Sequence, residues 1–63
     1  MHQKATIRSI KKGEYVRLKE DGPVWIRGDY WFTEGKFELQ SADDINTFIY
    51  RKGSVEVFHG FTY

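Results

Sequence analysis

The chain has 63 residues, ten Lys/Arg against nine Asp/Glu for a formal charge of +1, and no cysteine. A single domain of about this length buries only about 60% of the surface its unfolded chain exposes, and here neither a disulfide nor a cysteine-held metal is available to staple it. The balanced charge excludes a general polyanion binder, so any electrostatic argument must be local.

Turn signals recur at short intervals, which favours many short strands over long helices. Residues 1–4 read as a loose N-terminal tail, and residues 5–9 alternate around Ile7 as a first strand. Lys11-Lys12-Gly13 is a turn, residues 14–18 form the next strand, and Glu20-Asp21-Gly22-Pro23 carries hairpin chemistry. Residues 24–32, from Val24 to Phe32, are the longest strand. Thr33-Glu34-Gly35-Lys36 turns it back into residues 37–40, with Gly35 suited to a positive φ. Ser41-Ala42-Asp43-Asp44 pairs a capping serine with first-turn acids, which predicts one short helical turn over residues 42–46. Residues 47–51 and 54–58 flank Lys52-Gly53 as a last hairpin, and Gly60 marks a bulge before Phe61 and Tyr63. The expectation is an all-β domain over residues 1–63, a five- or six-stranded antiparallel meander closing into an SH3-like or OB-like barrel.

Both tryptophans fall in Val24-Trp25-Ile26-Arg27-Gly28-Asp29-Tyr30-Trp31. Strict alternation puts Val24, Ile26, Tyr30 and Phe32 on one face and Trp25, Arg27, Asp29 and Trp31 on the other, unless Gly28 bulges. Arginine and aspartate resist unpaired burial, so the odd face is read as the solvent face. The core is then expected at Val16, Leu18, Val24, Ile26, Phe32, Phe37, Leu39, Ile45, Val55 and Val57.

Across the first hairpin Tyr15, Arg17, Trp25, Arg27 and Trp31 form the candidate partner-binding surface. Rings beside guanidinium groups suit stacked bases and phosphates, which points to single-stranded nucleic acid. The same residue types are enriched at protein interface hot spots, which keeps a protein-interaction or oligomerisation module, through this patch or an edge strand, as the alternative. Rings and arginines that pair across strands only to stiffen the sheet are an equally concrete reading.

Other signals are weaker. Lys4, Arg8, Lys11 and Lys12 make a modest basic region, better explained as a solvated turn than as a phosphate strip. His2 and His59 lack metal-ligand spacing, and Asp43-Asp44 is accounted for by capping rather than by acid–base chemistry. No nucleophile motif or phosphate loop is present. No catalytic residue, metal or cofactor is therefore assigned, and the chain is expected not to be an enzyme. No apolar run approaches the roughly 18 residues of a membrane-spanning helix, so a cytoplasmic protein without a membrane partner is expected, with a homo-oligomer left open.

Lys12-Gly13-Glu14-Tyr15, Val24-Trp25-Ile26-Arg27-Gly28 with Tyr30, Asp43-Asp44-Ile45-Asn46, and Val57-Phe58 with Phe61 together resemble short β-rich proteins of Bacteroides-type gut anaerobes and their mobile elements. That pattern has Asp-Arg after the equivalent of Tyr30, where this chain has Trp31-Phe32, so a role of Trp31 would be particular to this member. The resemblance implies a single small domain and assigns no activity. Lys11-Lys12-Gly13-Glu14-Tyr15-Val16-Arg17-Leu18 is also similar to the glycine-led first strand of many SH3-like barrels.

Overall fold

The computed structural model describes residues 3–62; Met1, His2 and Tyr63, and with them the start of the expected tail, lie outside the described residues. Six strands, β1 (Gln3–Thr6), β2 (Tyr15–Arg17), β3 (Val24–Trp31), β4 (Lys36–Ser41), β5 (Phe48–Lys52) and β6 (Glu56–His59), form one antiparallel sheet in the order β1-β6-β2-β3-β4-β5. The fold is all-β, as the spacing of turn signals predicts. Gln3 and Lys4 belong to β1 rather than to a tail.

The turns follow from their residues. Gly13 takes φ 93°, and its N–H donates to the Arg27 carbonyl (2.8 Å) while the Arg27 N–H donates to the Glu14 carbonyl (3.0 Å). Two residues thus oppose one, a bulge that needs the conformational freedom of glycine at its first position. Gly35 takes φ 66°, and the Glu34 and Gly35 amides both donate to the Trp31 carbonyl.

Several expectations need correction, among them the hairpin of residues 47–51 with 54–58, since β5 pairs with β4 and β6 pairs with β1 and β2. Residues 42–46 form no helix. Ser41 Oγ does accept from the Asp43 and Asp44 amides (3.2 Å each), but the Thr47 amide closes back on the Asp44 carbonyl (3.0 Å), making a tight turn between β4 and β5. Asx and Ser side chains favour turns and caps for the same reason, and here the strand pairing on either side selects the turn. Among the described residues the only helix is instead a 3₁₀ turn, η1 (Ile7–Ser9), where the sequence suggested strand. Its threefold repeat places Ile7 and Ile10 on one side, and both are buried.

The sheet is also not closed into a barrel: β1 and β5 are its two edges. The β6 strand follows the β2-to-β5 meander by returning to pair with β1 and β2. Beyond β1, η1 bonds to the turn between β5 and β6, through the Ile7 amide on the Val55 carbonyl (2.9 Å) and the Arg8 amide on the Gly53 carbonyl (3.2 Å).

Ile7, Ile10, Val16, Phe37, Leu39 and Val57 make the core, with Ala5, Leu18, Trp25, Ile49 and Val55 packed against it. Of the expected core residues, Val24 is buried as well, whereas Leu18, Ile26 and Val55 are only partly so. Phe32 and Ile45 are exposed, at 89% and 73%. Both stand in turns beyond the ends of strands, where alternation no longer assigns a face.

Candidate binding face

Cross-strand partners in an antiparallel sheet share a face. Val16 and Leu39 are wholly buried, and they lie opposite Trp25 and Arg27. Trp25 and Arg27 therefore belong to the inner face, and Val24 and Ile26 to the outer one, the reverse of the expectation. The β3–β4 register then shifts between Arg27 and Tyr30, so that Tyr30 lies opposite Phe37 and Trp31 opposite Lys36. The bulge at Gly28 restores the expected parity for the last two residues: Tyr30 inward, Trp31 outward.

An arginine tolerates this inner position because it is not isolated there. The Arg27 guanidinium carbon lies 4.3 Å from the centroid of the Phe37 ring, and Nη1 donates to the Gly28 carbonyl (3.0 Å). The guanidinium lies over a ring, and a long arginine stem can cover apolar surface at such a position. Its Nε is buried without a hydrogen-bond partner among the described residues, as is that of Arg17.

Arg17 and Tyr15 do face outward, opposite Val24 and Ile26. Arg17 is committed there too: its guanidinium lies 5.2 Å from the Phe61 ring and Nη1 donates to the Glu20 carbonyl (3.1 Å). Tyr15 lines a surface cleft with Gly13, Glu14, Gly60, Phe61 and Thr62. The five predicted residues are thus not one patch. Tyr15 and Arg17 stand beside the C-terminal segment, Trp25 and Arg27 serve the interior, and Trp31 stands at the far end of the outer face.

What gathers around Trp31 comes from β4 and β5. Trp31, Lys36 and Lys52 are in cross-strand register, as are Glu38 with Tyr50 and Gln40 with Phe48, all on the outer face. Trp31, Phe48 and Tyr50 are 45%, 44% and 41% exposed. The indole Nε1 donates to Glu38 Oε1 (3.2 Å), and the Trp31 and Tyr50 rings meet edge-on, 6.4 Å apart at 83°. An edge-on pair fixes the rings relative to each other without stacking them face to face, which keeps ring surface open to solvent.

Phe48 and Tyr50 enter the strip only through the register that pairs β5 with β4. In the turn beyond Gln40 and Phe48 the Ile45 carbonyl accepts from Gln40 Nε2 (3.1 Å). In the same turn Asp44 accepts from the Asn46 amide (3.0 Å) and the Thr47 hydroxyl (2.8 Å), and these two bonds hold its carboxyl below the usual aspartate value.

No family model, curated protein or solved structure matches the chain. Among the described residues no helix is long and apolar enough to cross a membrane.

Proposed function

We propose that the protein is a small non-catalytic binding module that engages single-stranded nucleic acid on the β4–β5 half of its outer face. The observation that carries this reading is the placement of Trp31 on β3 and of Phe48 and Tyr50 on β5, all solvent-exposed on one face on either side of β4, with Lys36 and Lys52 in register with Trp31. Rings supply sequence-tolerant stacking and lysines supply phosphate neutralisation, and both are needed for single-strand binding. The site differs from the one alternation suggests, since Trp25, Arg17 and Arg27 are engaged within the domain. The proposed likeness to SH3-like and OB-like modules is limited to a small antiparallel sheet bearing a binding face. A cytoplasmic setting, which the cysteine-free composition suits, belongs to the same proposal.

Titration with short labelled oligonucleotides tests it. Binding is expected at low salt and weakens as salt rises, and Trp31→Ala loses roughly 1 to 3 kcal/mol while the domain stays folded. Lys52→Ala lowers the salt slope by about 1. Quenching of indole fluorescence on binding should vanish in Trp31→Ala and persist in Trp25→Phe, since Trp25 packs against the core. A folded domain that binds no oligonucleotide at low salt sinks the reading. A protein partner on the same strip is the second reading, favoured by one observation: Ile45, an aliphatic side chain with no use in base stacking, is 73% exposed in the turn beyond Gln40 and Phe48.

A further inference from the structure

The β5 strand has a neighbour on one side only. The Ser41 amide donates to the Thr47 carbonyl (2.9 Å), which continues the register of Leu39 with Ile49 and Phe37 with Arg51. In an antiparallel ladder this phase directs the backbone groups of Ile49 and Arg51 to β4 and those of Phe48, Tyr50 and Lys52 to the other side, where the Lys52 carbonyl already accepts from the Val55 amide (3.1 Å). The Tyr50 carbonyl is covered by its own neighbour, accepting from Arg51 Nη1 at 2.8 Å. A backbone carbonyl has two lone pairs, so each of these two can still accept an amide from a partner strand.

We infer that this edge seats a second copy of the chain, with β5 pairing antiparallel to β5 about a twofold axis at Tyr50. The strand reads Phe48-Ile49-Tyr50-Arg51-Lys52. In that register Phe48 lies across from Lys52 of the second copy, Ile49 across from its Arg51, and Tyr50 across from its Tyr50. No cation faces a cation, and each lies across a ring or an aliphatic chain, where its stem and head both find contact. Sliding the pairing two residues toward the C-terminal end would set Arg51 against Arg51.

Charge along the strand points the same way. Asp43 and Asp44 precede β5, Arg51 and Lys52 end it, and Arg8 is held against Gly53 just beyond, its amide on the Gly53 carbonyl. Antiparallel pairing sets the acidic turn of each copy beside the basic end of the other. A twofold contact of this kind closes on itself, whereas pairing β5 with the other edge, β1, would be heterologous and open-ended. The inference goes beyond the nucleic-acid reading and does not depend on it. It would join two outer strips into one surface.

Sedimentation equilibrium of the intact chain at concentrations up to about 1 mM reads the association directly. A reversible monomer–dimer equilibrium with no larger species is expected. Phe48→Lys places like charges across both symmetry-related contacts and should raise the dissociation constant roughly tenfold. Phe48→Glu places a carboxylate across from Lys52 and should hold or tighten the dimer. Hydrogen exchange in the unaltered chain supplies an independent reading, since the Tyr50 amide gains protection as concentration rises. A monomer throughout, growth beyond a dimer, or Phe48→Glu weakening association as much as Phe48→Lys would each overturn the inference. If both substitutions unfold the domain, the Tyr50 amide decides: concentration-dependent protection upholds the pairing, and its absence removes it.

Discussion

Replacing Gly53 by alanine should destabilise the domain through packing rather than backbone strain. Gly53 is buried just after β5, and its φ is outside the positive range that Gly13, Gly35 and Gly60 adopt. A Cβ at Gly53 would lie 2.8 Å from Phe37 Cε2 and 3.2 Å from Arg8 Cβ. The first distance is too short to persist, so something must move. Any shift of Phe37 disturbs its contacts with the Arg27 guanidinium, 4.3 Å from its ring centroid, and with the Tyr30 ring 4.8 Å away, although the ring also borders a cleft it lines with Arg8, Tyr30, Gly35 and Gly53. Overpacking of this kind costs roughly 1 to 3 kcal/mol, and the reduced freedom of the unfolded chain returns roughly 0.4 to 1 kcal/mol. At the middle of these ranges a net loss of about 1 kcal/mol remains, which for a domain this small lowers the melting temperature by roughly 4 to 8 °C. Urea unfolding should show a lower midpoint with an unchanged slope. Shortening the ring with Phe37→Leu should relieve the clash, making the double variant more stable than the sum of the two single losses by more than roughly 0.5 kcal/mol. A Gly53→Ala protein as stable as the parent, or strict additivity with Phe37→Leu, would refute the argument.

Leu39→Ala, at a wholly buried inner position, should cost roughly 2 to 5 kcal/mol, and Ile26→Ala, on the outer face, clearly less; chemical denaturation giving the opposite order would return β3 to the simple parity. Arg27→Ala should lose roughly 0.5 to 2 kcal/mol through the contact with Phe37, and Arg27→Lys should recover only part of it, since a lysine cannot lay a planar group on the ring. The Asp44 carboxyl is held below its ordinary value of 3.8 by its bonds to Asn46 and Thr47. Its contribution is complete above that unfolded-state value and is lost as pH falls through the lower folded value. The Asn46 amide shift, followed by NMR, should report this step on acidification, and Asp44→Asn should abolish it.

The all-β class, the order of turns and the positive φ of Gly35 were legible because glycine, proline and Asx residues punctuate the chain at short intervals. Val16, Phe37, Leu39 and Val57 were legible as core because alternation holds within β2, β4 and β6. The reading of β3 inverted for a physical reason: it treated arginine as a mark of solvent exposure. Arg27 instead lays its head over a ring, and the pairing of its strand with Val16 and Leu39 decides the face. Ile7 was legible as apolar but not as part of a 3₁₀ turn, whose existence depends on amides reaching carbonyls of residues 53 and 55, far along the chain. The strip of Trp31, Phe48 and Tyr50 was hidden because it depends on a register between strands, which no local pattern encodes.

The division of labour in β3 rests on Gly28. With unbroken alternation, Trp31 would share the inner face with Trp25 and Arg27, and Tyr30 would turn outward. One extra residue at the bulge reverses this, releasing Trp31 to the outer strip and sending Tyr30 onto Phe37, whose ring lies 4.8 Å away. A Cβ at Gly28 would meet the Glu38 carbonyl oxygen at 3.1 Å and Glu38 Oε2 at 3.1 Å, tighter than side chains ordinarily tolerate. Glu38 is also the residue whose other carboxylate oxygen accepts the Trp31 indole N–H. A side chain at position 28 would therefore press on the group that anchors the exposed ring, although it touches no ring itself. The shape of the candidate binding strip is set from the edge of the bulge, by the one residue type that lets β3 and β4 approach closely enough there.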